Sequence, residues 1–190
     1  MPTSVIAYIA LLALVGLLRL FELRISRRNQ RLMLQAGAKK PVDPGFRWMV
    51  LFHATFLISA GLEVLLFHRP LIPALAACAA LVFVLSNLLR YWVIRTLAVR
   101  WNVQVMDSTA LGVVTTGPFK WIRHPNYLGV FLELISLALI HTAWITAIWG
   151  CLVFALVIRD RIALEEKVLM ASLVYRERMA SKPRFLPGLF

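Results

Sequence analysis

The chain has 190 residues, of which 61% are hydrophobic and 16% charged, with a formal net charge of +12. Soluble domains carry about 45–50% apolar and about 25% charged residues, so this composition excludes an ordinary water-soluble fold, and it excludes disorder, which needs low hydrophobicity. The basic residues lie between apolar runs instead of forming one patch, which argues against a nucleic-acid binder and for the Lys- and Arg-rich loops of a membrane protein.

A spanning helix needs about 20 mostly apolar residues. The first such run covers residues 2–23. It has no basic stretch before it and is followed by Arg24, Arg27 and Arg28, so an uncleaved spanning helix is expected and not a signal peptide. The second run covers 48–67, the third 71–98, the fourth, a short one, 127–140, and the fifth 143–158, with a helix expected to continue as an amphipathic tail through 173. Arg69-Pro70 and His141-Thr142 read as tight turns of helical hairpins. The expected fold is therefore an all-α integral membrane bundle of about five transmembrane helices with a C-terminal amphipathic helical tail. One domain spans 1–190, with three spans in 1–98 and a second half in 99–190.

The long connections are basic. Segment 24–47 holds Arg24, Arg27, Arg28, Arg31, Lys39, Lys40 and Arg47; segment 95–124 holds Arg95, Arg100, Lys120 and Arg123; the tail from 159 holds seven more, and only Arg69 falls on the other side. With five spans this asymmetry predicts an inner-membrane protein with its N-terminus outside and its C-terminus in the cytoplasm. Cys78 and Cys151 lie within apolar runs and offer neither a disulfide framework nor metal-ligand spacing, so no metal is expected.

Several ionisable residues interrupt the runs. Arg19 and Glu22 are spaced for an i,i+3 ion pair. They and Arg90 have a plain role as snorkelling residues near the interface, and Glu63 reads as interfacial. His53 and Glu133 sit deeper, where ionisable groups are costly and face a bundle interior or a watery cavity. Either a structural or a functional role fits these two.

Segment 115–129 reads Thr-Thr-Gly-Pro-Phe-Lys-Trp-Ile-Arg-His-Pro-Asn-Tyr-Leu-Gly. Gly117-Pro118 marks a turn, and Pro125 suits the first turn of a helix, where a missing N–H costs nothing. His124 and Tyr127 then flank a helix N-terminus, which favours anionic groups. Taken alone, the segment reads rather as an interfacial loop with a capping His and an aromatic-belt Tyr. The second element is Arg159-Asp160-Arg161 followed by Glu165-Glu166-Lys167; alone it reads as a solvated, salt-bridged helix end.

Together, Arg-His-Pro-x-Tyr, a hydrophobic hairpin and Arg-x3-Glu-Glu-x2-Leu resemble the isoprenylcysteine carboxyl methyltransferase family over residues 115–187. Arg19-x2-Glu22, Arg28-Asn29, Gly37-Ala38, His53, Trp101-Asn102 and Glu133 extend the similarity toward a bacterial branch that O-methylates long-chain alkylpyrones or alkylresorcinols. The resemblance implies S-adenosylmethionine as cofactor, with His124, Pro125 and Tyr127 on one wall of its pocket, Glu165 and Glu166 on another, and Gly129 allowing close helix approach. It makes residues 99–190 the cofactor-binding half and implies a lipid-like small-molecule substrate drawn from the membrane. His53 or Glu133 would be the catalytic base where the acceptor hydroxyl needs one. The chain departs from the family pattern at Leu173-Val174-Tyr175, where Phe-Gly often precedes the tyrosine, and at Arg178, which replaces a second tail tyrosine. Alternatives are an isoprenylcysteine carboxyl methyltransferase proper and, in another class, a non-catalytic small membrane protein or transporter subunit.

Overall fold

In the computed structural model, which describes residues 1–185, every apolar run becomes a helix: α1 (Thr3–Gln35), α2 (Phe46–Leu66), α3 (Pro73–Leu97), α4 (Pro125–Leu139) and α5 (Trp144–Leu169), followed by a short α6 (Leu173–Met179). Among the described residues there is no β-strand, only an isolated bridge between Lys39 and Asp107. Leu186 and Pro187, the last residues of the segment that resembles the family, lie outside the described residues. Helices α1, α2 and α3 are long and apolar enough to cross a membrane, whereas α4 is a shorter apolar helix. The apolar part of α5 ends at Arg159-Asp160-Arg161. Leu17, Leu20, Phe21, Leu81, Leu85, Leu88, Leu152 and Leu156 are all exposed, a surface that water does not tolerate in such quantity. The protein is a small helical membrane protein.

Two boundaries differ from the sequence expectation. The first helix runs on to Gln35, 33 residues or about 50 Å at 1.5 Å per residue. No Gly or Pro interrupts residues 24–35, and Ser26, Asn29 and Met33 are buried, so tertiary contact extends the helix beyond its apolar run. The expected continuous tail instead breaks after Leu169, and Ser172 caps a separate α6 by accepting from the Tyr175 N–H.

The helices alternate in direction, so one face of the bundle collects the two tight turns and the other the long basic connections. On the turn face, Glu63 of α2 caps the start of α5 by accepting from the Ile145 N–H (3.1 Å), the Thr146 N–H (2.7 Å) and the Thr146 hydroxyl (2.8 Å), and it pairs with Arg69. The Thr142 hydroxyl donates to the Pro70 carbonyl at 2.6 Å and ties the two turns together. The core is aromatic, with Phe52, Phe56 and Phe154 packed against Phe131 and Trp149. The Phe56 ring lies so close to α5 that a Cβ at Gly150 would sit 2.4 Å from it.

Candidate active site

On the basic face, a turn over Gly117–Lys120 delivers the chain to His124, the residue that precedes α4, with Pro125 at the first helical position as its fixed φ favours. The C-terminal strap returns here: the Arg123 and His124 N–H groups donate to the Pro183 and Arg184 carbonyls at 2.9 and 3.0 Å, and Lys182 Nζ donates to the Phe119 carbonyl at 2.6 Å.

The two distant motifs meet at this point. The Tyr127 hydroxyl donates to Glu165 Oε2 at 2.5 Å, and His124 Nε2 lies 3.0 Å from Glu166 Oε1. The two carboxylates differ in their surroundings. Glu166 is held by His124, by Arg123 at 3.0 Å and by Arg184 at 2.7 Å. Burial pushes its carboxyl up, but hydrogen bonds from His124 and Arg184 and the nearby Arg123 charge prevail and hold it at about 2. Glu165 accepts from Tyr127 through one oxygen, while its other oxygen lies 4.0 Å from His124 Nδ1, too far for a hydrogen bond.

Arg161 is no solvated helix end. It is 3% exposed, donates to Asp43 at 2.9 Å and to the Val103 carbonyl at 2.8 Å, and so clamps α5 to the α1–α2 connection and to the loop after α3. That loop is gripped from α1: the Asn29 amide donates to the Trp101 carbonyl, and Ser26 and Gln30 hold Asn102. Asp43 escaped the sequence reading, although it is the lone acid in segment 24–47.

A cavity of about 700 Å³ opens between these elements, a size typical of a small-molecule or cofactor site. His124, Pro125, Asn126, Tyr127, Glu165 and Tyr175 line one end. Arg19, Glu22, His53 and Arg90 line the other, where the walls become the apolar stripes of α1 and α2. Leu17, Leu20 and Ile58 border the cavity and are also 64%, 60% and 62% exposed, so the cavity is open sideways between α1 and α2.

At the far end four charges close into a ring. Arg19 pairs with Glu22 at 2.6 Å and with Glu133 at 2.5 Å, and Arg90 pairs with Glu22 at 2.7 Å and with Glu133 at 2.8 Å. Helices α1, α3 and α4 are thereby tied together by two cations and two anions. Gly129 makes the ring possible, because a Cβ there would lie 2.6 Å from Arg90 Cγ. Arg19, Glu22 and Arg90 are thus partners in one network and not separate snorkelling residues. Beside them, His53 Nδ1 lies 2.8 Å from the Met49 carbonyl. A carbonyl only accepts, so Nδ1 carries a proton, and the neutral form of the ring has its lone pair on Nε2.

Of the residues singled out in the sequence, His124, Pro125, Tyr127, Glu165 and His53 line the cavity. Glu166 stands behind His124, Gly129 lies in the α3–α4 contact, and the Glu133 carboxylate is engaged by both arginines.

Fold and site together define a helical membrane protein with a side-opening, largely apolar cavity that has a polar end at the His124–Tyr127–Glu165 cluster. The model of the isoprenylcysteine carboxyl methyltransferase (ICMT) family matches residues 78–171, from within α3 to just past the paired glutamates. Over those residues the chain is similar to that family of S-adenosylmethionine-dependent membrane methyltransferases. The chain is also 28% identical over 159 residues to the uncharacterized protein YpbQ of Bacillus subtilis, covering 84% of this chain and 94% of that one. It is 28% identical over 157 residues to an uncharacterized protein of Haemophilus influenzae, covering 80% and 88% respectively.

Proposed function

We propose that the protein is an S-adenosylmethionine-dependent O-methyltransferase that acts on a lipid-like acceptor at the cytoplasmic face of the membrane, with its N-terminus outside and its C-terminus inside. One observation carries the reading: a single cavity joins the His124–Tyr127–Glu165 cluster to an apolar crevice that opens toward lipid.

Bound at the polar end, the cofactor supplies a methyl group on a sulfonium. The residues there suit it. Glu165 keeps an oxygen free for the cofactor's amino group, and Asn126 brings a buried Oδ1 with no partner to the same wall. Glu166, already paired with Arg123 and Arg184, orients His124 and does not touch the cofactor. Tyr127 fixes the Glu165 carboxylate. Holding acceptor and cofactor in line can supply several kcal/mol, up to about 7–11 for well-aligned groups.

At the acceptor end, His53 is the base. Its Nε2 lone pair would take the hydroxyl proton, leaving the acceptor oxygen to receive the methyl group that bound S-adenosylmethionine would supply. Glu133 is saturated by two guanidinium groups and serves to hold the ring. The ring's charges cancel within it. A base at this position suits an acceptor that arrives as a neutral hydroxyl, such as a long-chain alkylresorcinol; a long-chain alkylpyrone, whose enolic hydroxyl is already ionised near neutrality, would need only desolvation in the same crevice. A prenylcysteine carboxylate is the second reading, and it rests on the description of the matched family. A transporter subunit fits less well, because the distinctive residues gather at one face instead of lining a path across the bundle.

The deciding measurement is binding of S-adenosylmethionine to the purified protein and to His124→Ala. Strong binding lost in the variant supports the reading; no binding by the wild type would overturn it. Lipid mass spectrometry of cells with and without the gene then identifies the acceptor by a mass difference of one methylene.

A further inference from the structure

Arg24, Arg27, Arg28 and Arg31 follow the spacing i, i+3, i+4, i+7 on α1 and share one face of that helix. All four are exposed, and among the described residues none pairs with a carboxylate. Packing against the loop after α3 is the task of the opposite face, through Ser26, Asn29 and Met33. The arginines are therefore not needed to hold α1 in place.

Followed back toward the N-terminus, the same face carries Leu17, Leu20 and Phe21, exposed by 64%, 60% and 57%. In a membrane protein these side chains are covered by acyl chains. Arg24 lies one turn beyond Phe21, and Arg28 about 10 Å beyond it at 1.5 Å per residue. The polar headgroup layer is about 5–7 Å deep on each side of the hydrocarbon. A helix face that leaves acyl chains at Phe21 thus meets headgroups at Arg24, with Arg27 and Arg28 just beyond that layer, in reach of its phosphates through their long side chains, and Arg31 about a Debye length from it. Guanidinium groups bind phosphate oxygens through paired N–H donors.

We propose that this stripe is a binding surface for anionic phospholipid headgroups, seated directly below the side opening of the cavity at Leu17 and Leu20. The inference stands apart from the proposed activity. An acidic soluble protein fits the stripe less well, since reaching Arg24 would require it to penetrate the headgroup layer.

The test uses the full-length protein in nanodiscs made of equal parts phosphatidylcholine and phosphatidylglycerol, with retained lipids read by native mass spectrometry. The wild type is expected to keep phosphatidylglycerol in preference. Replacing all four arginines by Gln should reduce that preference by at least about tenfold, while four Arg→Lys changes preserve most of it. Should the fourfold Gln variant fail to fold, the pairs Arg24→Gln/Arg28→Gln and Arg27→Gln/Arg31→Gln are read in the same way. Unchanged phosphatidylglycerol retention in folded Gln variants overturns the proposal, as does equal retention of the two lipids by the wild type.

Discussion

Tyr127, at the start of α4, donates its hydroxyl hydrogen to Glu165, 38 residues later in α5, across 2.5 Å. The bond joins two motifs that are separated by an entire helical hairpin, and it leaves the carboxylate aimed at the cavity. Removing the hydroxyl with Tyr127→Phe frees that carboxylate to rotate. A hydrogen bond to a charged group is worth about 1.5–3 kcal/mol, so calorimetry should show S-adenosylmethionine binding weakened by about 10- to 100-fold. The acceptor's KM should stay near the wild-type value, because the apolar crevice is untouched.

The ring of Arg19, Glu22, Arg90 and Glu133 makes a different demand. Breaking a buried ion pair by removing one partner typically costs about 3–5 kcal/mol, because the other charge is left uncompensated. Glu133→Gln and Arg90→Ala should each lower the thermal midpoint in detergent markedly. Gly129→Val should do the same by pushing Arg90 aside, since even a Cβ would stand 2.6 Å from Arg90 Cγ. If Glu133→Gln left the midpoint unchanged and abolished turnover instead, Glu133 and not His53 would be the base.

How far such a site is legible in the sequence depends on the range of the interactions. The helices are legible because a bilayer demands long apolar runs, whatever their partners. The start of α4 is legible because Pro125 has few other places to go. The meeting of His124 and Tyr127 with Glu165 and Glu166 followed only from the resemblance; nothing in either motif alone points to the other. The extension of α1 to Gln35 was hidden because residues 24–35 are polar and their burial depends on a loop some 70 residues away. The charge ring was hidden for the same reason. Arg19 and Glu22 could be paired by spacing, but their links to Arg90 and Glu133 depend on how three helices are rotated. Asp43 and Arg161, 118 residues apart, form a buried ion pair that no local pattern announces.

His53 offers a cleaner separation of chemistry from folding. Its ring borders the cavity, and its one hydrogen bond is to the carbonyl of Met49 in its own helix. His53→Ala should therefore fold and bind S-adenosylmethionine normally. Its turnover of a hydroxyl acceptor should fall by about 10²–10⁴-fold, the usual contribution of a positioned base. His53→Gln, which cannot take up a proton, should be equally slow. A rate that recovers as pH rises toward the ionisation of the acceptor hydroxyl would identify proton removal as the missing step.

The strap that carries Arg184 is tied to α5 by a carboxylate whose ionisation sets a pH limit. Glu166 is held at about 2, below its ordinary 4.5, by His124, Arg184 and Arg123. A depressed folded value means that the stabilisation is fully present above the unfolded value and is lost as pH falls toward the folded one. Glu166→Gln should therefore lower the thermal midpoint at neutral pH, by an amount corresponding to about 1–3 kcal/mol. The gap between wild type and variant should shrink between pH 4.5 and about 2, as the wild-type carboxyl takes up its proton. Scanning fluorimetry of both proteins across that range provides the comparison. A gap that stays constant down to the lowest pH would mean that the effect of Glu166 comes from packing and not from its charge.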